Sequence, residues 1–162
     1  MGAILTLLTL KGACMVDLPE KGAGRPDPMA YGRGLKPGVG VNILVTDVEA
    51  AIRWQADVLE ATVIYWEDHF AICSAQGAIW FVHSDWSYRD HEMTGVVRDV
   101  EARGAGLEIR LYGIDPDDCE ARAREAGGIV LAGSLDKPHG LREAYLVDPD
   151  GYVWVPGVAL SD

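Results

Sequence analysis

Apolar and polar residues alternate along 41–45 and again along 107–112, and each run leads through an acidic residue into a stretch with helical spacing. Side chains on a strand point to opposite faces in turn. Val41, Ile43 and Val45 therefore share one face, while Gly40, Asn42 and Leu44 share the other. In the later run Leu107, Ile109 and Leu111 form the apolar face, and Glu108, Arg110 and Tyr112 the opposite one. The apolar face is expected to carry the helix in both places, leaving Asn42 and Glu108 pointing away from it.

The helices are signalled by their starts and stops. Asp47 suits an N-cap, and Val48, Ala51, Ile52, Gln55, Val58 and Leu59 then fall on one stripe. In the second copy Asp115 caps, Pro116 fits the first helical position, Asp117 and Asp118 complement the dipole, and Gly127-Gly128 ends the helix. Strands are expected at 61–67, 69–74 and 78–83, with a Gln76-Gly77 turn between the last two. Near the C-terminus Asp148, Pro149 and Gly151 occupy the preferred positions of a type I turn, which makes a closing hairpin. Laid over each other with Asp47 on Asp115, the stretches 41–66 and 107–133 share one plan. A unit this long that occurs twice is a duplicated module and not a solenoid repeat. The expected organisation is an arm at 1–38, module one at 39–83, a linker at 84–104 and module two at 105–158. The fold class is α+β, two tandem βαβββ modules forming a curved mixed sheet around a cavity, with the helices outside.

Composition narrows the partners. The 162-residue chain carries a formal net charge of −11, which disfavours nucleic acid and anionic membrane surfaces and favours a small molecule. Cys14, Cys73 and Cys119 are odd in number, widely spaced and free of any C-x-x-C pattern, so neither a disulfide framework nor a zinc knuckle is expected, and a reducing cytoplasm fits. The apolar stretch 4–10 lacks a preceding basic residue and is too short to span a bilayer. Residues 11–38 are rich in Gly and Pro and read as an arm without its own core; Met15 and Met29 are alternative starts.

The duplicated modules, the V-x-D-x-x-x-A-I segment at 45–52 and the terminal run REAYLVDPDGYVWV together resemble the vicinal oxygen chelate superfamily, which includes glyoxalase I, extradiol dioxygenases and bleomycin-resistance proteins. The resemblance covers about residues 39–158 and leaves the arm outside. It implies a homodimer, and in metal-dependent relatives a divalent ion held by His, Gln or Glu from four strand positions. Those positions fall here on Gly40, on Trp80 or Phe81, on Glu108 and on Val155. Only Glu108 offers a donor, so no bound metal and no other cofactor is expected; the alternative is a rebuilt site using His69 or His83 with Glu108.

With no metal, the face of the sheet supplies the candidate ligand contacts: Asn42, Trp66, Trp80, Glu108, Arg110, Tyr112 and Arg142. Tyr65 and Trp66 alternate, so at most one of them faces the cavity, and Trp154 is expected in the helix-packing core. If the chain is an enzyme, Glu108 and His139 are the candidate acid or base groups, His139 lying in the loop 137–143. The segment 84–104, with Trp86, Tyr88 and His91, reads as a solvated linker or a lid. No serine or cysteine triad, phosphate-binding glycine loop or dinucleotide fingerprint is present. The leading expectation is a metal-free protein that sequesters or processes an aromatic or cationic compound, with five tryptophans available for stacking. The alternatives are a glyoxalase- or dioxygenase-like enzyme, metal-dependent or a metal-independent lyase or isomerase, and a purely structural homodimer.

Overall fold

The computed structural model describes residues 16–161; the apolar stretch 4–10, Cys14 and Met15 lie outside them. The element order is α1 (Pro28–Gly34), β1 (Val41–Val45), α2 (Val48–Leu59), β2 (Thr62–Glu67), β3 (Phe70–Ala75) and β4 (Ala78–Ser84). After a 3₁₀ turn (Asp85–Tyr88) and the short α3 (Thr94–Val97) come β5 (Glu108–Tyr112), α4 (Pro116–Glu125), β6 (Ile129–Asp136), β7 (Leu141–Val147) and β8 (Val153–Ala159). No helix among them is long and apolar enough to cross a membrane.

Local chemistry accounts for the boundaries. The Asp47 carboxylate accepts from the Ala50 N–H at 3.0 Å and starts α2, and Asp115 accepts from Asp117 N–H at 2.9 Å at the start of α4. Gln76 and Gly77 both adopt positive φ, 50° and 80°, the signature of the two-residue hairpin turn that joins β3 to β4. In the closing hairpin the Asp148 carboxylate accepts from the backbone N–H of Asp150 and of Tyr152 and from the Trp154 indole.

The two-module α+β plan is realised, and the modules meet in a particular way. The strands form two separate four-stranded sheets, β1-β4-β3-β2 and β5-β8-β7-β6, in place of one continuous sheet. In each, the first strand runs parallel to the fourth while the other pairs are antiparallel. Helices α2 and α4 touch each other, and a single apolar core joins Ile43, Ile52, Leu59 and Trp80 of the first module to Leu111, Cys119, Leu146 and Trp154 of the second. Trp80 and Trp154 lie 5.3 Å apart within it. The helix-bearing faces thus share one core, and the opposite faces of the sheets point away from it.

The segment 84–104 does more than connect. Its Arg103, with a side chain only 5% exposed, donates to both Asp85 carboxylate oxygens (2.6 and 2.8 Å) and to the Leu44 carbonyl at 3.2 Å, and lies 3.8 Å from Asp150. The same arginine therefore touches β1, the linker and the closing hairpin. The arm also has a defined path. The Pro19 carbonyl accepts from the Trp66 indole at 2.7 Å and Gly22 N–H donates to the Trp66 carbonyl, which covers the free edge of β2.

Candidate functional site

Register decides which side chains leave the first sheet on its outer face. Asn42 pairs with Phe81 and Leu44 with His83 across β1 and β4; Phe81 pairs with Ile72 and His83 with Phe70 across β4 and β3. A bulge at Ile64 shifts the parity of β2, which brings Tyr65 and Glu67 onto this same face beside Ile72 and Phe70. The arm then lays α1 over it, with Tyr31 meeting Phe81 edge to face at 6.0 Å between centroids. The 3₁₀ turn after β4 adds Trp86, stacked on His69 at 4.1 Å, and Ser87.

These elements line an open cavity of about 560 Å³. Its walls are aromatic: Tyr31, Tyr65, Phe70, Phe81 and Trp86, with Ile72, Pro26 and Pro28 between them. Its polar groups are few. The Tyr65 hydroxyl donates to Glu67 at 2.7 Å, and burial together with that neighbouring carboxylate raises the Tyr65 pKa. Arg25 stands 3.9 Å from Glu67, and the Arg89 guanidinium lies 3.9 Å over the Trp86 ring. His69 Nδ1 is 3.0 Å from Ser84 Oγ and His83 Nδ1 is 3.2 Å from Ser87 Oγ. Burial lowers the His83 pKa, so its ring is neutral at physiological pH.

The outer face of the second sheet has a different character. Arg110 donates to Glu108 at 2.7 Å, to the Tyr112 hydroxyl at 3.0 Å and to Glu143, which is 0% exposed. His139 Nε2 is 3.4 Å from the same Glu143 carboxylate. Burial works to raise the Glu143 pKa, but the hydrogen bonds from Arg110 and His139 outweigh it and the group lies below its ordinary range. A buried carboxylate held by a guanidinium is a satisfied ion pair. Arg110 is the guanidinium shared by Glu108 and Glu143.

The sequence-derived candidates thus divide. Glu108, Arg110, Tyr112 and His139 come together around Glu143, a residue that sequence reasoning passed over because only the fold reveals its burial. Asn42 pairs with the cavity residue Phe81 but does not itself line the cavity, its amide donating to the Tyr88 hydroxyl at 2.6 Å. Trp66 and Trp80 do not line a ligand wall. Both lie in the shared core, 7% and 3% exposed, and their indole N–H groups are taken by the Pro19 carbonyl and by Gln55 at 2.9 Å. The bulge at Ile64 and the β4 parity put Tyr65 and Phe81 on the outer face instead. Arg142 is drawn aside to Asp117 and Asp136 near the start of α4. Trp154 is fully buried in the core. Trp86 and Ser87, on the segment 84–104, and Tyr31, on the arm, complete the cavity although no strand pattern marks them.

The donor set does not fit a divalent ion. Of the four positions that the resemblance implies, Gly40, Trp80 or Phe81, and Val155 offer no ligating side chain, and the Glu108 carboxylate is engaged by Arg110. A rebuilt site from His69 or His83 with Glu108 is not assembled among the described residues either. Among the described residues no group of three or more His, Cys, Asp or Glu is gathered as a metal site would need.

No family model matches the chain, and no curated protein matches it in sequence. Solved structures do match. A glyoxalase/bleomycin resistance protein/dioxygenase from Nocardioides is 18% identical, over 82% of this chain and 92% of its own, with a TM-score of 0.58. A glyoxalase/bleomycin resistance protein/dioxygenase family enzyme from Burkholderia phytofirmans PsJN is 15% identical over 75% and 97% of the two chains, with a TM-score of 0.63. TioX from Micromonospora sp. ML1 is 21% identical over 78% and 98%, with a TM-score of 0.55. At these identities the likeness is one of fold.

Proposed function

We propose that this chain, which has the fold of the glyoxalase, bleomycin-resistance and dioxygenase proteins, binds and sequesters a planar aromatic compound, without a metal ion, on the outer face of its first sheet. The observation that carries this reading is the cavity itself: about 560 Å³, aromatic on several sides, with few polar groups. That volume lies within the roughly 300–1,000 Å³ typical of small-molecule sites, and such sites combine apolar walls with sparse polar contacts. Flat aromatic walls favour a flat ligand. A cationic centre is not favoured at this cavity, because Arg25 and Arg89 line it and its one carboxylate, Glu67, already accepts from Tyr65. Glu108, which the sequence offers as the charge for a cation, lies on the other sheet and pairs there with Arg110.

Calorimetric titration with fused two-ring aromatics tests the reading. Binding is expected in the wild-type protein, and Trp86→Ala and Tyr31→Ala, each of which removes part of the apolar wall, are each expected to weaken it about fivefold, a loss of about 1 kcal/mol. Full affinity in both variants would remove the cavity from consideration. Removal of metal is expected to have no effect: a chelator should leave the melting temperature and the affinity unchanged, whereas a drop in either would show that donors outside the four family positions hold an ion.

A further inference from the structure

His83 offers the cavity one specific polar contact. Ser87 has a single hydroxyl proton, and its Oγ lies 2.7 Å from the Ser84 carbonyl, an acceptor only. That proton is therefore committed, and the Ser87 oxygen meets His83 Nδ1, 3.2 Å away, as an acceptor. It follows that Nδ1 carries the imidazole hydrogen and that Nε2 presents a bare lone pair. The second nitrogen of a histidine is set by the bond the first one makes. No partner for Nε2 is found among the described residues, and His83 lines the cavity beside Phe70, 4.8 Å away between ring centroids. Among the other polar groups here, the Tyr65 hydroxyl is spent on Glu67 and His69 Nδ1 faces Ser84.

We infer that the ligand of this cavity is a planar aromatic bearing a hydroxyl or ring N–H, and that it donates this hydrogen to His83 Nε2. The inference rests on the proposed binding site and adds to it a chemical class and a specificity-determining residue. An acceptor set in an aromatic cavity discriminates against a ligand of the same outline that lacks the donor, because the nitrogen is then left unpaired. The low pKa that burial imposes on His83 agrees, since a protonated ring would have no lone pair to offer.

The pair 2-naphthol and 2-methylnaphthalene, nearly equal in shape, separates the two claims. Calorimetry on the wild-type protein is expected to show naphthol bound about tenfold tighter, a preference of about 1.4 kcal/mol. His83→Phe keeps a ring in place and should abolish the preference while retaining the hydrocarbon. Ser87→Ala should shrink it, because Nδ1 then loses its acceptor. Long-range ¹⁵N–¹H spectra of the free protein should show the His83 hydrogen on Nδ1, and in Ser87→Ala that signal should weaken. Equal affinity for both probes in the wild type, a preference that survives His83→Phe, or the hydrogen found on Nε2 would each overturn the inference and leave the site standing. Binding of neither probe would overturn the site, and the inference with it.

Discussion

At Asp148 two forces oppose each other. Burial pushes its pKa up to about 6, against the hydrogen bonds donated by Trp154, Tyr152 and Asp150 that favour the carboxylate. Because the folded value lies above the ordinary one, folding takes up a proton between the two, and stability from this group is greatest below the unfolded pKa and falls as pH rises through about 6. The indole N–H of Trp154, 2.9 Å from Asp148 Oδ2, is the natural reporter: its ¹⁵N–¹H cross-peak should titrate with a midpoint near 6. A cross-peak that moves only below pH 4 would show that the three donors win. His83 has the other sign. Its pKa is lowered by burial, so its contribution is present above the unfolded value of about 6.5 and is lost as pH falls below it. The denaturation midpoint of His83→Phe relative to wild type should therefore improve on acidification from pH 7 to 5.5. These residues also mark what the sequence reveals of the site. Strand parity separates Glu108, Arg110 and Tyr112 from the core face, whereas it does not reveal that a bulge and the β4 register put Trp66 and Trp80 in the core. No local pattern shows that Glu143 is buried or that Trp86 and Tyr31 close the cavity, since those facts depend on docking between distant segments.

At the scale of elements, caps and turns are the legible part, because each depends on residues within a few positions of one another. Asp47, Asp115, Gln76-Gly77 and the hairpin at Asp148 all stand where their chemistry places them. The packing of the linker on that hairpin was not legible, and it is tight. Gly151 has a φ of +85°, and a Cβ there would lie 2.6 Å from the Ala102 Cα and 2.6 Å from the Glu101 carbonyl oxygen. Backbone crowds it on both counts, so no side-chain rotation relieves the clash. Gly151→Ala is expected to cost about 2 kcal/mol or more, from the positive φ and the overpacking together. Gly77→Ala, at a positive φ but in open space, should cost less. Urea denaturation of the two variants measures the difference, and equal costs would show that the linker simply moves aside.

For the whole molecule the decisive feature is that two sheets share one core. Ile43, Ile52 and Trp80 from the first module and Leu111, Leu146 and Trp154 from the second belong to one buried cluster, so neither module can open without exposing the other's apolar surface. A single cooperative transition is expected, with tryptophan fluorescence and far-ultraviolet circular dichroism giving coincident urea curves. Arg103 is the polar counterpart of that core, joining the Leu44 carbonyl, Asp85 and Asp150 across strand, linker and hairpin while almost wholly buried. Arg103→Met preserves much of the side-chain volume but leaves Asp150, 3% exposed, with Thr46 as its remaining side-chain partner and Asp85 without its guanidinium. Removing one member of a buried charge pair costs about 3 kcal/mol or more, because the remaining charge is still desolvated. The variant should therefore unfold at a clearly lower urea concentration. Its two probes should still coincide, since the apolar core continues to couple the modules. Separation of the fluorescence and circular dichroism curves in Arg103→Met would show instead that this arginine, and not the tryptophan-centred core, holds the halves together.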